Sequence, residues 1–402
     1  MIKTDSHIAR SAVPILLLLL SLTFSRCDSE DRIDPRSFTS HWAQGSLYHT
    51  SDKKNSPFSR QDLSQLLDSI RLSSKIQDHW VTLNDSDGVS YSLGIGFPAN
   101  LSPDKPHPLV IYLHGGVKTD VSTKGRYAYK MLNGLKDSMD LILASPSANN
   151  FAPWWSDRGL KRILQTIRYI SLHYKIDSRK IFLAGVSDGA TGCYAAANSI
   201  NGPFAGFFAI SGYGGILPHL GTKLSLANLK KRPIYNIQGG KDRLYPLHVV
   251  NRFLDFLEEK DVHITRKVHP EEDHGFDYRK KEFPKLTQLI RSWSRPNENG
   301  FEWEVINGVI NAPNQLIGYE LTDENRKATV RAELEKDTFN IDSRNLSSFS
   351  FFAPSGLEIT ASNPSQKKFT ISELPSEDDL AVLYKSLKLV RNHSLYTINF
   401  RR

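Results

Sequence analysis

The sequence predicts an α/β fold, a doubly wound and mostly parallel sheet, followed by a small C-terminal antiparallel β module. Three observations predict it. Between residues 108 and 294, short apolar runs (Leu109 to Leu113, Leu141 to Ala144, Ile181 to Ala184, Ala205 to Ile210) alternate with stretches whose apolar residues recur at helical spacing. Beyond Trp293 the pattern switches to period two, with Ala328, Val330, Ala332 and Leu334 interleaved with Thr329, Arg331, Glu333 and Glu335. Between the two patterns lies Ser294-Arg-Pro-Asn-Glu-Asn-Gly300, which reads as a linker.

In chain order, Lys3 and Arg10 precede a leucine-rich apolar run from Ser11 to Phe24. The run is short for a bilayer span and suits the core of a signal peptide, which assigns residues 1–26 to a leader. Cys27 follows at the position of the lipidated cysteine in a lipoprotein-type signal, with Arg26 where such signals favour a small residue. Lipid attachment to a membrane or cell surface is therefore expected. Plain secretion, or periplasmic residence, and an uncleaved anchor are the alternatives.

Residues 27–75 read as an N-terminal extension with one short helix, since Leu63, Leu66, Leu67 and Ile70 share a helical face. Residues 76–295 read as the catalytic domain. Its first element is a hairpin, Trp80 to Leu83 and Val89 to Leu93 flanking Asn84-Asp-Ser-Asp-Gly88. That turn has two aspartates but lacks the further ligands and downstream glutamate of a calcium-binding loop. The four apolar runs read as strands buried on both faces; Pro233 to Ile237 is a mixed run, and Ile264 to Val268 is the strand that follows it. Leu160, Ile163, Leu164, Ile167 and Ile170 mark one intervening helix, and Val249, Phe253, Phe256 and Leu257 another. Residues 301–402 read as the β module, where Phe339/Ile341, Phe349/Phe351 and Tyr396/Ile398/Phe400 repeat the alternation, one face packed and one wet.

Composition narrows the function. With 402 residues, 39% of them hydrophobic and 23% charged, the chain has ample apolar material for a core, which excludes a largely disordered protein. Two cysteines exclude a disulfide scaffold and a zinc-thiolate protein, and once Cys27 is acylated or lost Cys193 has no partner in the chain. The net charge of +8 is spread over short basic runs (Lys53-Lys54, Lys230-Lys231-Arg232, Arg279-Lys280-Lys281) and is not gathered with aromatics on one face. A nucleic-acid partner is therefore not expected. No ligand-spaced cluster argues for a metal, and no cofactor is called for.

The chemistry concentrates at Gly185-x-Ser187-x-Gly189. An apolar strand leads in and a small-residue helix start leads out, which is the context of a nucleophile elbow. A serine hydroxyl needs a base to become nucleophilic, and the base needs an orienting acid. On this architecture they follow in the order Asp then His, each just past a strand. Asp242 sits in the Gly239-Gly-Lys-Asp turn and His274 in Glu271-Glu-Asp-His274-Gly275. Asp255 and Asp261 rival the first; His248, His263 and His269 rival the second. Backbone donors for a developing oxyanion are expected from Asp188, the residue after the serine, and from Gly115 and Gly116 in the loop after the first core strand. His114 reads as a loop-fixing side chain.

With those residues in place, residues 106–294 resemble an α/β-hydrolase of the esterase group that includes phospholipase/carboxylesterase, feruloyl esterase and polyhydroxybutyrate depolymerase-like proteins. The resemblance rests on His114-Gly-Gly116, Asp177-Ser-Arg-Lys180 leading to Gly185-x-Ser187-x-Gly189, Gly239-Gly-x-Asp242 and Asp273-His274-Gly-Phe276. It implies that Ser187, Asp242 and His274 form a triad, and that Trp154 and Trp155 line the acyl pocket. The segment from Ser211 to Pro233 is short for a lipase lid, which favours small or solvent-exposed esters, including esters on an exposed polymer. The side chain of Asp188 beside the nucleophile is expected to disfavour anionic substrates. The expected function is an exported serine carboxylic ester hydrolase working through an acyl-enzyme, with membrane contact only through a lipid anchor. A prolyl-oligopeptidase-like peptidase and an inactive hydrolase-fold binding protein are the alternatives.

Overall fold

The computed structural model describes residues 60–85, 87–296, 300–305, 316–354, 358–364, 368–374 and 393–401. The expected signal peptide, Cys27 and the extension as far as residue 59 lie outside the described residues.

The first sheet has eight strands: β1 (His79–Asn84), β2 (Ser90–Gly96), β3 (His107–Leu113), β4 (Ile142–Pro146), β5 (Ile176–Val186), β6 (Gly206–Ile210), β7 (Ile234–Gly239) and β8 (Ile264–His269). Their spatial order is β1-β2-β4-β3-β5-β6-β7-β8. β1 and β2 form the antiparallel hairpin and β2 meets β4 antiparallel; every other pairing in this sheet is parallel. The apolar runs become the central strands because both faces are covered. Leu109, Ile111 and Leu113 face one core, and Val110 and Tyr112 face the other.

Five helices of more than two turns are described: α1 (Arg60–Ser73), α2 (Asp157–His173), α3 (Asp188–Ser199), α4 (Leu247–Glu259) and α5 (Tyr278–Ser292). α2, α3 and α4 pack on the first face through Leu160, Ile163, Ala195, Val250 and Leu254. α5 covers the second through Leu286, Leu289 and Ile290. Cys193 on α3 is a buried free thiol. α1 lies outside α2, held by Arg71 donating to the Ser171 carbonyl at 3.2 Å and by a 3.3 Å contact between Ser74 Oγ and His173 Nδ1.

The two aspartates of the hairpin turn serve arginines. Asp85 Oδ1 accepts the N–H groups of Asp87 and Val89, and Oδ2 takes Arg162 Nη2 at 2.9 Å. Arg162 is fully buried, donates to the Ser147 carbonyl and lies 4.5 Å from the Tyr91 ring centroid. Asp87 pairs with Arg158.

The C-terminal region forms two four-stranded sheets around one core of Phe301, Trp303, Phe339, Phe349, Phe351 and Ile398. One sheet runs β10 (Leu316–Leu321), β13 (Leu346–Pro354), β16 (His393–Arg401), β15 (Lys368–Leu374); the other runs β14 (Glu358–Ser362), β12 (Thr338–Arg344), β11 (Ala328–Glu335), β9 (Gly300–Val305). One pairing departs from the antiparallel expectation: β12 and β14 are parallel. Period-two alternation fixes which face a residue takes, not the direction of its neighbour. The expected linker ends early, since Gly300 already belongs to β9. At the junction the Asn228 carboxamide donates to the Glu304 carbonyl at 2.9 Å and accepts the Glu304 N–H at 3.1 Å, as a neighbouring strand would.

Candidate active site

β5 runs into the centre of the sheet and stops at Val186; α3 starts at Asp188, so a single residue turns the chain. That residue is Ser187, at φ 58° and ψ −119°, a conformation that costs a non-glycine residue of order 1–3 kcal/mol. Packing enforces it. A Cβ on Gly185 would lie 2.2 Å from the Gly189 carbonyl oxygen, and one on Gly189 would lie 2.0 Å from that of Leu113. Only glycines let α3 start this close to β5 and β3. Ser187 N–H donates to the Ile210 carbonyl of β6 at 2.9 Å.

The next two strands of the sheet supply the partners. Asp242 follows β7 and His274 follows β8. His274 Nε2 is 3.0 Å from Ser187 Oγ, and Nδ1 is 2.9 Å from Asp242 Oδ2. The carboxylate can only accept, which decides the hydrogen positions: Nδ1–H donates to it, leaving Nε2 to accept from the serine hydroxyl. The Asp242 side chain is fully buried, whereas that of His274 is 23% exposed. Asp242 Oδ1 accepts the N–H groups of Leu244 at 2.9 Å and Tyr245 at 2.8 Å, and Oδ2 also accepts from Gln238 Nε2 at 2.8 Å. The Tyr245 ring lies 5.7 Å from the imidazole and meets Tyr213 edge-on.

The rival residues have other partners or positions. Asp255 pairs with Arg266 at 2.7 Å, and Asp261 lies 3.7 Å from Lys230. His269 Nε2 is 2.5 Å from Glu282 Oε1, whose other oxygen accepts from Tyr235. His248 and His263 are exposed.

The loop after β3 leans over the serine. A Cβ built on Gly115 would fall 3.1 Å from Ser187 Cβ and 3.7 Å from Oγ, and Gly116 is left-handed at φ 64°. Three side chains hold this loop. Asp188 Oδ2 accepts the Val117 N–H at 2.9 Å, Lys124 Nζ donates to the Gly116 carbonyl at 2.5 Å, and Trp154 Nε1 donates to the His114 carbonyl at 2.8 Å. His114 accepts the Ala148 N–H on Nε2 at 3.1 Å, so Nδ1–H donates to the Gly115 carbonyl at 2.9 Å. Burial drives its pKa down to about 4, and the neutral ring works as a fixed strut.

Trp154 requires a correction. It is fully buried beneath the loop after β3, packed against Gly192, and lines no surface a substrate reaches. Its indole N–H found a buried carbonyl, and that hydrogen bond sets its position. Trp155 is half-buried against the first core. The carboxylate of Asp188 is likewise engaged by the Val117 N–H.

Gln238 was not anticipated. The signal available was a second polar side chain, after Asn236, near the end of a mixed strand; its two partners lie four and seven residues further on. Among the described residues no three His, Cys, Asp or Glu side chains are gathered as metal ligands.

No protein-family model matches the chain. It is 25% identical over 181 residues to a bifunctional acetylxylan esterase/xylanase of Neocallimastix patriciarum, an alignment covering 43% of this chain and a quarter (25%) of that protein's length. Among solved structures it is similar to the S-formylglutathione hydrolase FrmB of Staphylococcus aureus, with 16% identity, TM-score 0.44, and coverage of 54% of this chain and 100% of that one. It is also similar to Est1E of Butyrivibrio proteoclasticus, with 14% identity, TM-score 0.40, and coverage of 53% and 96%. By its own sheet order, its strand–serine–helix turn at β5 and the positions that follow β7 and β8, the chain has the α/β-hydrolase fold.

Proposed function

We propose that the chain is a serine hydrolase of carboxylic esters. The observation that carries this is the relay of 3.0 Å from Ser187 Oγ to His274 Nε2 and 2.9 Å from Nδ1 to the buried Asp242. Ser187 Oγ attacks the ester carbonyl carbon while its proton passes to His274 Nε2. Asp242 holds the ring in the tautomer that can accept and balances the imidazolium that forms. The carbonyl oxygen, now an anion, takes the N–H groups of Asp188 and of the Gly115–Gly116 loop. The C–O bond to the alcohol breaks as His274 returns the proton to the leaving oxygen. Water then attacks the acyl-Ser187 ester with His274 again as base, releasing the acid.

The named acetylxylan esterase supports a short acyl group on a carbohydrate as the first ester to try. The leucine-rich run ahead of Cys27 supports export with a lipid on that cysteine. The test is turnover of p-nitrophenyl acetate and of acetylated xylan by the purified protein beside Ser187→Ala, together with labelling by a fluorophosphonate. Turnover and labelling that both disappear in the variant are expected. A folded wild type that neither turns over an ester nor takes the label would defeat the reading.

A further inference from the structure

We infer that Gln238 is a positioning residue for the Ser187–His274–Asp242 relay, an inference that rests on the ester-hydrolase reading. Gln238 is the penultimate residue of β7 and is 1% exposed. Its Nε2 donates twice, to Asp242 Oδ2 at 2.8 Å and to the Tyr245 carbonyl at 2.9 Å. Both neighbours can only accept, so the amide cannot be turned round without setting oxygen against oxygen. One nitrogen thereby spans the turn from residue 242 to residue 245 and fixes the carboxylate inside it.

The arrangement leaves Gln238 Oε1 buried with no hydrogen-bond partner among the described residues. Most buried acceptors have a partner, and an orphan persists where something else holds the group in place. Here that something is the carboxylate. Oδ2 receives the imidazole Nδ1–H and the Gln238 N–H together, and Oδ1 receives two backbone N–H groups. Four donors around one aspartate leave it a single orientation, which aims the imidazole at Ser187 Oγ. Among the described titratable groups, Tyr245 on the β7 loop faces the imidazole at 5.7 Å, Asp188 follows Ser187 at the elbow, and Glu272 and Asp273 precede His274 on its own loop. Asp188 takes the Val117 N–H, Asp273 the Gly275 N–H and Glu272 pairs with Lys281.

Two variants of nearly equal volume test the assignment in the full chain. Gln238→Met keeps the packing and removes the donor; Gln238→Glu keeps the shape and puts an acid against an acid. Fluorophosphonate labelling counts the assembled sites, and turnover of p-nitrophenyl acetate is expressed per labelled serine. The expected result is a kcat about 10- to 100-fold lower in both, with KM nearly unchanged. The acid limb of kcat/KM should move up in Gln238→Met, which takes a donor away from the carboxylate that faces the imidazolium. A residue that only fills space would lower the labelled fraction and leave both quantities alone. Turnover per site within about twofold of wild type, or an unmoved acid limb, overturns the assignment. If Gln238→Met does not fold, Gln238→Glu alone carries the decision. Failure of the underlying reading looks different, because the wild type itself would then neither label nor turn over.

Discussion

The Asp188 carboxylate accepts the Val117 N–H across 2.9 Å, and so ties the residue after Ser187 to the glycine loop on the far side of the substrate position. The two proposed sources of oxyanion donors are thus coupled through one hydrogen bond. Asp188→Ala should cut kcat/KM on p-nitrophenyl acetate about 10- to 100-fold, less than or equal to the loss of a whole donor. Asp188→Asn keeps an acceptor oxygen and should stay within about tenfold of wild type. An alanine variant with wild-type kinetics would show that the loop holds its place without this contact.

Trp154 anchors the same loop from beneath. Trp154→Phe removes the indole donor on the His114 carbonyl while largely keeping the ring's volume. It should lower unfolding stability by about 1–3 kcal/mol in urea titration, the range for a stranded buried acceptor. KM for short esters should hardly change, since the ring is fully buried.

The pair of Asp85 and Arg162 lies inside the hairpin–α2 contact, with side chains 2% and 0% exposed. Asp85→Ala strands a buried guanidinium and two backbone N–H groups, and should destabilise by about 3–5 kcal/mol. Adding Arg162→Met to that variant should restore part of the loss. A double variant less stable than Asp85→Ala would contradict the pairing as the source.

Acid should loosen the chain through two imidazoles. Burial holds His114 near 4 against an ordinary 6.5, and burial with His79 and Arg71 nearby holds His173 near 4 as well. Between 6.5 and 4 the unfolded chain binds these protons and the folded chain does not. Their contribution to stability is complete above that interval and is lost as pH falls through it. Urea midpoints should decline over this range, each ring adding a slope of at most about 1.4 kcal/mol per pH unit. His173→Phe, which keeps the stack on Tyr169, should flatten the decline by up to one ring's share; an unchanged slope would remove His173 from the account.

How far the sequence could be read follows from how local each signal is. The central strands were legible because burial on both faces writes itself as unbroken apolar runs, and the elbow because sterics demand glycine at fixed offsets. β5 shows the limit. It begins at Ile176, well before its apolar run, and includes Asp177-Ser-Arg-Lys180. Lys180 tolerates that position by donating to the carbonyls of Ile290, Arg291 and Trp293 at the end of α5. A partner 110 or more positions away leaves no periodicity to find. The same holds for Asp188 with Val117 and Trp154 with His114. The adjacent tryptophans suggested a pocket, but composition alone cannot tell an aromatic beneath a loop from one facing solvent.

Cys193 lies on α3 six residues past the elbow serine, sealed between the helix and the sheet, and burial lifts its thiol well above the ordinary range. Reagents that alkylate thiolates reach it only when α3 lifts from the sheet. Its rate of modification is thus a built-in clock for the opening of the helix that carries Ser187. Ligands that seat on the serine should slow that clock, whether or not they are ever turned over.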